Sequence, residues 1–478
     1  MKSALKTEDP SREPKPMRMR LEEVQQATGA AGDLPANGGA WVNGVASDSR
    51  LASEGDLFVC LRGEKLDGHA FAGDAVQRGA VAVLAEKPLS DVGEETPVLL
   101  VPDCLQALGD LAASWRERFR GTVIAVTGSA GKTSIKELLA SILSLRGTTA
   151  RSFKNWNNRL GVPLSILECS CEEDYWVLEA GVNLAGEMRD LARIISPDLA
   201  LVNNIGPAHL EGLGGEEGVA REKACLISGV RQGGFAVVSA DYPLLEAHLP
   251  QRSDLRWVRF SCREGEREIK GEYLGLQGER SLYRLDLEGC LIQIAPGLQG
   301  GYHLENILAA AVSAWILGCK AKEIQAGLER AELPEHRSKV FQQGGWRVID
   351  DAYNSNPLSL RCSLQSAREL SGGGPFFAFL GDMLELGNEA QEAHRKLGRE
   401  AAVQGVETLF YKGEHASDAE LGYREAGGSG RVREVDSVEE FLRLWRGLDA
   451  SGGTVLFKAS RGCHLERFAQ ALQQELQG

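Results

Sequence analysis

Residues 123–139, Val-Ile-Ala-Val-Thr-Gly-Ser-Ala-Gly-Lys-Thr-Ser-Ile-Lys-Glu-Leu-Leu, leave a chain like this little choice of fold. An apolar β-branched run, a turn of small residues and then Lys132 and Thr133 opening a leucine-rich amphipathic stretch read as strand, phosphate loop and helix. Gly128 and Gly131 let backbone N–H groups close around a phosphate, with Ser129, Ala130 and Ser134 completing the loop. The helix N-terminus adds partial positive charge, Lys132 neutralises terminal phosphates, and the Thr133 hydroxyl can hold Mg2+. The pattern predicts a nucleoside triphosphate site. Val126 stands where the usual spacing has a glycine, so the loop is a shortened variant. A plain strand-helix turn would leave two glycines and a lysine in that order unexplained.

A chain of 478 residues has room for about three domains, each with its own core. Its 43% hydrophobic and 25% charged residues are ordinary for a soluble globular protein. The formal net charge of −14 disfavours a general nucleic-acid or anionic-membrane binder, because no net positive field recruits phosphate backbones. The ten cysteines are scattered without zinc spacing and read as reduced thiols of a cytoplasmic protein. The charged, proline-bearing residues 1–20 read as a disordered tail rather than a signal peptide, and no apolar run is long enough to span a bilayer.

The chain then divides into regions 21–120, 121–332 and 333–478, all of α/β character. The first mixes short strands with a helix near 103–119 whose apolar face is Leu105, Leu108, Leu111, Trp115 and Phe119. In the second, Tyr175–Glu179 and Asp198–Asn204 are strands that end in polar residues, the latter followed by His209. In an open α/β sheet such ends converge on one crevice, which places Glu179 and His209 where a metal serving the phosphates would sit. The segment 154–163 gathers Asn155, Asn157 and Asn158, suited to sugar hydroxyls and peptide groups or to a capped loop. Lys223 lies on a helix over 216–230, where a lysine is ordinarily a solvated charge. A stretch from 240 to 294 reads as antiparallel hairpins, and a helix follows over 302–317 with Asn306 near its start. The third region alternates strands and helices, predicting a second, smaller parallel sheet. Its strand ends carry Tyr353, Asn354 and Asn356, then Gly381-Asp382-Met-Leu-Glu385, then Lys458, Ser460 and Arg461.

In this order the pieces resemble the Mur ligases, the cytoplasmic ATP-dependent amino-acid and peptide ligases of peptidoglycan precursor synthesis. The resemblance rests on Thr127–Thr133, Glu179, His209, Lys223, Asn306 and Arg337. Three longer segments, Asn157–Pro163, Asp350–Pro357 and Leu380–Gly387, are similar to the member that adds D-alanyl-D-alanine. The resemblance implies an N-terminal domain for the UDP end of the precursor, a central P-loop ATPase and a C-terminal Rossmann-like domain that closes over ATP. It implies the substrates UDP-N-acetylmuramoyl-tripeptide, D-alanyl-D-alanine and ATP, with Mg2+, in a protein expected to be monomeric.

Position by position, Lys132 and Thr133 would hold the phosphates and a first Mg2+, and Glu179 and His209 would serve a second. Lys223 would join them as a carbamate. Asn306, Arg337 and Asp351 would contact the nucleotide, while Ser49 and Arg50 would meet the uridine diphosphate. Asn157, Asn158, Tyr353, Asn354 and Asn356 would face substrate, with Lys458, Ser460 and Arg461 nearby. Three positions depart from the family pattern: Tyr302-His303 replaces a His-Asn pair, Cys225 stands where an acidic residue is common, and Ala459 replaces a glycine. The implied chemistry is acyl phosphate formation from the tripeptide carboxylate and attack by the dipeptide amine. A diamino-acid-adding Mur ligase, a folylpolyglutamate synthetase, a small-molecule kinase and a non-catalytic nucleotide-binding regulator are the rivals.

Overall fold

Each of the apolar runs becomes a strand in one of three separate, wholly or mainly parallel sheets, and residues from all three line one cleft. The computed structural model describes residues 17–34, 40–63, 65–153, 155–263, 269–278 and 280–477. The first sheet has four parallel strands in the order Gly44–Ala46, Asp56–Val59, Ala82–Ala85 and Val98–Leu100. The central sheet runs Arg256–Phe260, Phe235–Ser239, Leu199–Val202, Thr122–Thr127, Tyr175–Glu179 and Thr149–Arg151, all parallel. Val123, Ile124, Ala125 and Val126 are wholly buried because helices cover both faces, hence the continuous apolar run. Chain order reverses on either side of Thr122–Thr127, which makes the end of that strand the crevice where ligands bind.

The third sheet has six strands, as many as the central one, so it is not the smaller sheet expected. Its edge strand Lys339–Gln343 is antiparallel to Trp346–Asp350, and the remaining pairs are parallel. Arg256–Phe260 is a second correction: it joins the central sheet in parallel instead of starting the hairpins. The antiparallel part is confined to Ile269–Gln277, Arg280–Leu287 and Cys290–Ile294. Its inner face, Tyr283, Leu285 and Ile292, packs with Ile307, Leu308 and Ala311 of the helix Leu304–Ile316.

The expected tail is corrected at its end, residues 1–16 lying outside the described residues. Met17 and Met19 are fully buried, and Met19–Arg20 pairs with Trp41–Val42. The alternation Met-Arg-Met-Arg explains this: thioethers point into the core while Arg18 and Arg20 lie over the Trp41 ring at 4.6 and 4.1 Å.

The helix Cys104–Arg118 fastens the first sheet to the second. Trp115 Nε1 donates to Cys169 O at 2.9 Å, and the buried Arg116 donates to Ile195 O and Ser196 O, each at 2.9 Å, and to Asp198 Oδ2 at 3.1 Å. The boundary we propose between the first two domains, at 120–121, falls just after this helix; that between the second and third is proposed at 332–333. Among the described residues no helix is long and apolar enough to cross a membrane.

Candidate active site

The phosphate loop forms because only certain residues fit it. Gly131 has φ +80°, and a Cβ there would lie 2.0 Å from Asn306 Oδ1. Asn204 shapes the turn from the next strand: its carbonyl accepts from Ser129 N at 3.1 Å and its Oδ1 from Ala130 N at 2.8 Å. The first amides of the helix, at Lys132, Thr133 and Ser134, have no intrahelical carbonyl to reach and are available to an anion. Lys132 folds back, Nζ donating to Gly128 O at 2.9 Å. Burial holds its ammonium below the usual lysine range; Glu179 opposes that shift and Arg337 adds to it.

Glu179 ends a strand paired with the phosphate-loop strand, Val126 level with Glu179. Its carboxylate is buried, with Oε2 accepting from Thr133 Oγ1 at 2.8 Å and Oε1 from Asn157 Nδ2 at 2.7 Å. Burial alone would raise its pKa, but Lys136, Lys132 and Arg337 together with the Asn157 bond hold it below the ordinary range. Lys136 is a residue that the sequence reading missed. It lies one helical turn beyond Lys132, wholly buried, with Nζ donating to Ser152 O at 2.6 Å.

Glu179, His209, Lys132, Asn306 and Arg337 all line one cavity of about 1300 Å3. Its lining includes Arg50 from the first domain and Arg461 from the third. Ser129, Ala130, Gly131, Thr133 and Ser134 line its floor; Gly128 does not. Lys223 sits behind the wall. It is 1% exposed rather than solvated, and burial pushes its pKa well below the lysine range, with Lys132 adding repulsion and Glu179 and Glu222 opposing it.

His209 is turned elsewhere. Its Nδ1 pairs with the Glu385 carboxylate across the cleft between the second and third domains, and both residues have left-handed backbone, φ 54° and 65°. Such conformations persist where surrounding structure over-determines them. Among the described residues no group of three or more His, Cys, Asp or Glu side chains could hold a metal. Glu179 and His209 therefore share a cavity without forming a preassembled metal cage.

Other residues expected to contact ligand also carry bonds within the protein, and Arg50, Asp351, Asn356 and Lys458 among them line the cavity. Ser49 is buried and does not line the cavity, and Arg50 Nε pairs with Asp48 Oδ1 at 2.9 Å. Asn158 Oδ1 accepts from Leu160 N and Gly161 N, opening a helix, although Asn158 still lines the cavity. Asp351 Oδ1 accepts from Ser338 N and Oγ, and its Oδ2 from Ser363 Oγ at 2.7 Å and Lys458 Nζ at 2.5 Å. The charges predicted to meet nucleotide and dipeptide thus neutralise each other. Ser460 Oγ, 4% exposed, accepts from Leu384 N at 2.9 Å and joins two loops. Asn356 caps the helix Pro357–Leu370 through Oδ1 and donates through Nδ2 to Ser129 O at 3.0 Å, so the third domain rests on the phosphate loop. Tyr353 and Asn354 face the same cavity.

A buried network behind the loop was also missed. Glu305 accepts from Asn204 Nδ2 at 2.8 Å and from Asn203 Nδ2 at 3.3 Å; enclosure raises its pKa to about 7 against those bonds. Its unfolded carboxyl loses the proton near 4.5, so between 4.5 and 7 the folded protein holds more protons and stability falls as pH rises. Glu305→Gln removes that slope. The open cleft limits the effect to about 2 kcal/mol. Urea titrations at pH 4.5 and 8 are expected to show wild type losing that much relative to the variant.

A phosphate loop at the switch point of one sheet, with a second α/β domain docked on it and a third across the same cavity, defines a nucleotide-using enzyme that works between domains. Family models match along the chain: "Mur ligase family, catalytic domain" at residues 42–116, "Mur ligase middle domain" at 126–314 and "Mur ligase, glutamate ligase domain" at 336–461. The chain belongs to the Mur ligase family. It is 33% identical to the UDP-N-acetylmuramoyl-tripeptide–D-alanyl-D-alanine ligase of Escherichia coli over 91% of this chain and 94% of that one. The crystal structure of MurF from Acinetobacter baumannii superposes with a TM-score of 0.86 at 30% identity, covering 96% of this chain and 100% of that one. The MurF ligase from Thermotoga maritima in complex with ADP gives 0.79 at 28% identity, covering 91% and 97%.

Proposed function

We propose that this chain joins D-alanyl-D-alanine to UDP-N-acetylmuramoyl-tripeptide at the expense of ATP, giving the pentapeptide, ADP and phosphate, in peptidoglycan precursor synthesis. The observation that carries the reading is one cavity of about 1300 Å3 lined from all three proposed domains, by Arg50, Lys132 and Arg461 among others. The Mur ligase that adds a diamino acid and the folylpolyglutamate synthetases are disfavoured by the segment Asp350–Pro357 and by the relatives named above. Lys132, Glu179, His209 and Lys223 together disfavour a non-catalytic regulator, and phosphate release that depends on a dipeptide acceptor separates a ligase from a kinase.

The hydroxyl of Thr133 and the carboxylate of Glu179, in contact at the base of the loop, are hard oxygen donors that fit Mg2+, the remaining positions falling to phosphates and water. Bound there, the ion would neutralise charge on the transferring phosphoryl group. Lys223 fits as a carbamate, because burial favours the neutral amine that adds CO2 with loss of one proton. His209 would have to leave Glu385 to join.

The tripeptide carboxylate oxygen attacks the γ-phosphorus; the bond to the β-phosphate oxygen breaks, leaving ADP and an acyl phosphate. The dipeptide amine then attacks the acyl carbon, phosphate leaves, and the amine's extra proton passes to the medium. Lys132 and Arg337 supply cationic groups where negative charge gathers. Asn157 keeps Glu179 oriented, and the contact of Asn356 with Ser129 holds the third domain over the site, excluding water from the acyl phosphate. Asn306 contacts the nucleotide beside Gly131. We assign Asp351 and Lys458 to support of their loop, and the protein to the cytoplasm as a monomer.

Phosphate release is measured with tripeptides ending in meso-diaminopimelate and in L-lysine, against D-Ala-D-Ala, D-Ala and single amino acids. Release dependent on precursor and dipeptide together is expected. Release with a single amino acid alone, or without any acceptor, overturns the reading.

A further inference from the structure

Arg337 is held in an unusual way. The residues on either side of it, His336 and Ser338, both have left-handed backbone, φ 60° and 56°, although neither is glycine. Two such residues flanking one side chain persist only if something beyond the turn fixes them. That fixture is the segment 350–353. Asp350 Oδ2 meets His336 Nδ1 at 2.7 Å, Asp351 Oδ1 accepts from Ser338 N at 3.2 Å, and Tyr353 N donates to His336 O at 3.1 Å. The fourth tie is the Tyr353 ring: the Arg337 guanidinium carbon lies 4.0 Å from its centroid. The same ring has the Arg461 guanidinium carbon at 5.5 Å. Both distances are within the range in which a cation is attracted to an aromatic face.

The two arginines come from segments more than a hundred residues apart, and Tyr353 is where they meet. Arg337 carries its charge toward the phosphate loop, close enough to act on Lys132 and Glu179. Arg461 lines the same cavity, and both arginines belong to the third domain. Without the ring, the Arg337 guanidinium would have the freedom of a long side chain over an open cleft.

We propose that Tyr353 is a positioning residue that acts through Arg337, stacking its guanidinium toward the triphosphate and tying it to Arg461 on the acceptor side. This goes beyond a substrate contact by Tyr353 itself, and it rests on the reading above only for what Arg461 faces. The ring face is assigned the effect, because it is the ring centroid that the Arg337 guanidinium approaches at 4.0 Å.

The test is a double-mutant cycle on the full chain, read by calorimetric binding of a non-hydrolysable ATP analogue with Mg2+. That readout does not require ligase turnover, so its failure is distinct from failure of the proposed reaction. Tyr353→Leu is expected to weaken binding about tenfold, Arg337→Ala by a similar factor, and the double variant no more than Arg337→Ala alone. Tyr353→Phe is expected to stay within twofold of wild type. Tyr353→Met fills the same space without a ring and replaces the leucine variant if that one does not fold. In turnover, Tyr353→Leu is expected to raise KM for the dipeptide about tenfold, with Tyr353→Phe restoring it. Binding by Tyr353→Leu within twofold of wild type, losses that multiply in the double variant, or a phenylalanine variant as weak as the leucine one each overturn the proposal.

Discussion

Lys132→Met is expected to lower kcat about a thousandfold while leaving the protein folded. Lys132 reaches back over the loop to Gly128 O at 2.9 Å, a position from which its charge would meet phosphates seated on the helix amides. When an acid attacks a triphosphate, negative charge moves onto the leaving oxygen inside a site that water has largely left. A fixed cation is worth far more there than in solvent. Loss of one preorganised charge in phosphoryl transfer costs about 10³-fold or more. The ground state behaves differently: burial already disfavours the ammonium, so methionine in its place leaves the melting temperature unchanged or raises it. Steady-state phosphate release and a thermal melt on the same preparation check both halves. A kcat within tenfold of wild type would remove Lys132 from the reaction.

Lys223→Met carries the second large effect, also about a thousandfold in kcat. A lysine 1% exposed with its charged form disfavoured is an unfavourable way to build a helix. Were it structural, an apolar side chain of similar length would stabilise the protein and leave activity intact. As a carbamate it would supply a carboxylate behind the cavity wall, near the side of Lys132 and Glu179. The variant is expected to melt no lower than wild type and yet to be nearly inactive. Wild type equilibrated with 13C-bicarbonate is expected to show a carbamate carbon resonance that Lys223→Met lacks.

The part of this molecule that was legible in the sequence is the part made by neighbours along the chain. Thr122–Thr127, the loop and the helix Lys132–Leu143 each follow from residues within a turn of one another, and the strand ends at Glu179 and Asn204 follow from the sheet that such a loop requires. Strand-end segments of the third domain were found for the same reason. What escaped was set by contacts across long separations. His209 meets Glu385, Asp351 meets Lys458 and Asn356 meets Ser129, partners that no local pattern announces. The local pattern around Lys223 is that of a solvated charge, because its helix has little amphipathic contrast; the resemblance alone singles it out, and only the packing of other elements around it makes it buried. The antiparallel edge Lys339–Gln343, three of its five residues exposed, has too weak an alternation to stand out from a turn. Met17 and Met19 could have been caught by their alternation with arginines, had the charged residues before them not dominated the segment.

In the proposed reaction the third domain and the phosphate loop cooperate to make an acid reactive by phosphorylating it. Isotope transfer tests this most directly. With UDP-N-acetylmuramoyl-tripeptide carrying 18O in its terminal carboxylate, ATP and D-Ala-D-Ala, each released phosphate is expected to contain one oxygen from the carboxylate, read by mass or by the 31P shift. Phosphate free of the label, formed while peptide bond and ADP accumulate normally, would mean that the acid never bore the phosphoryl group.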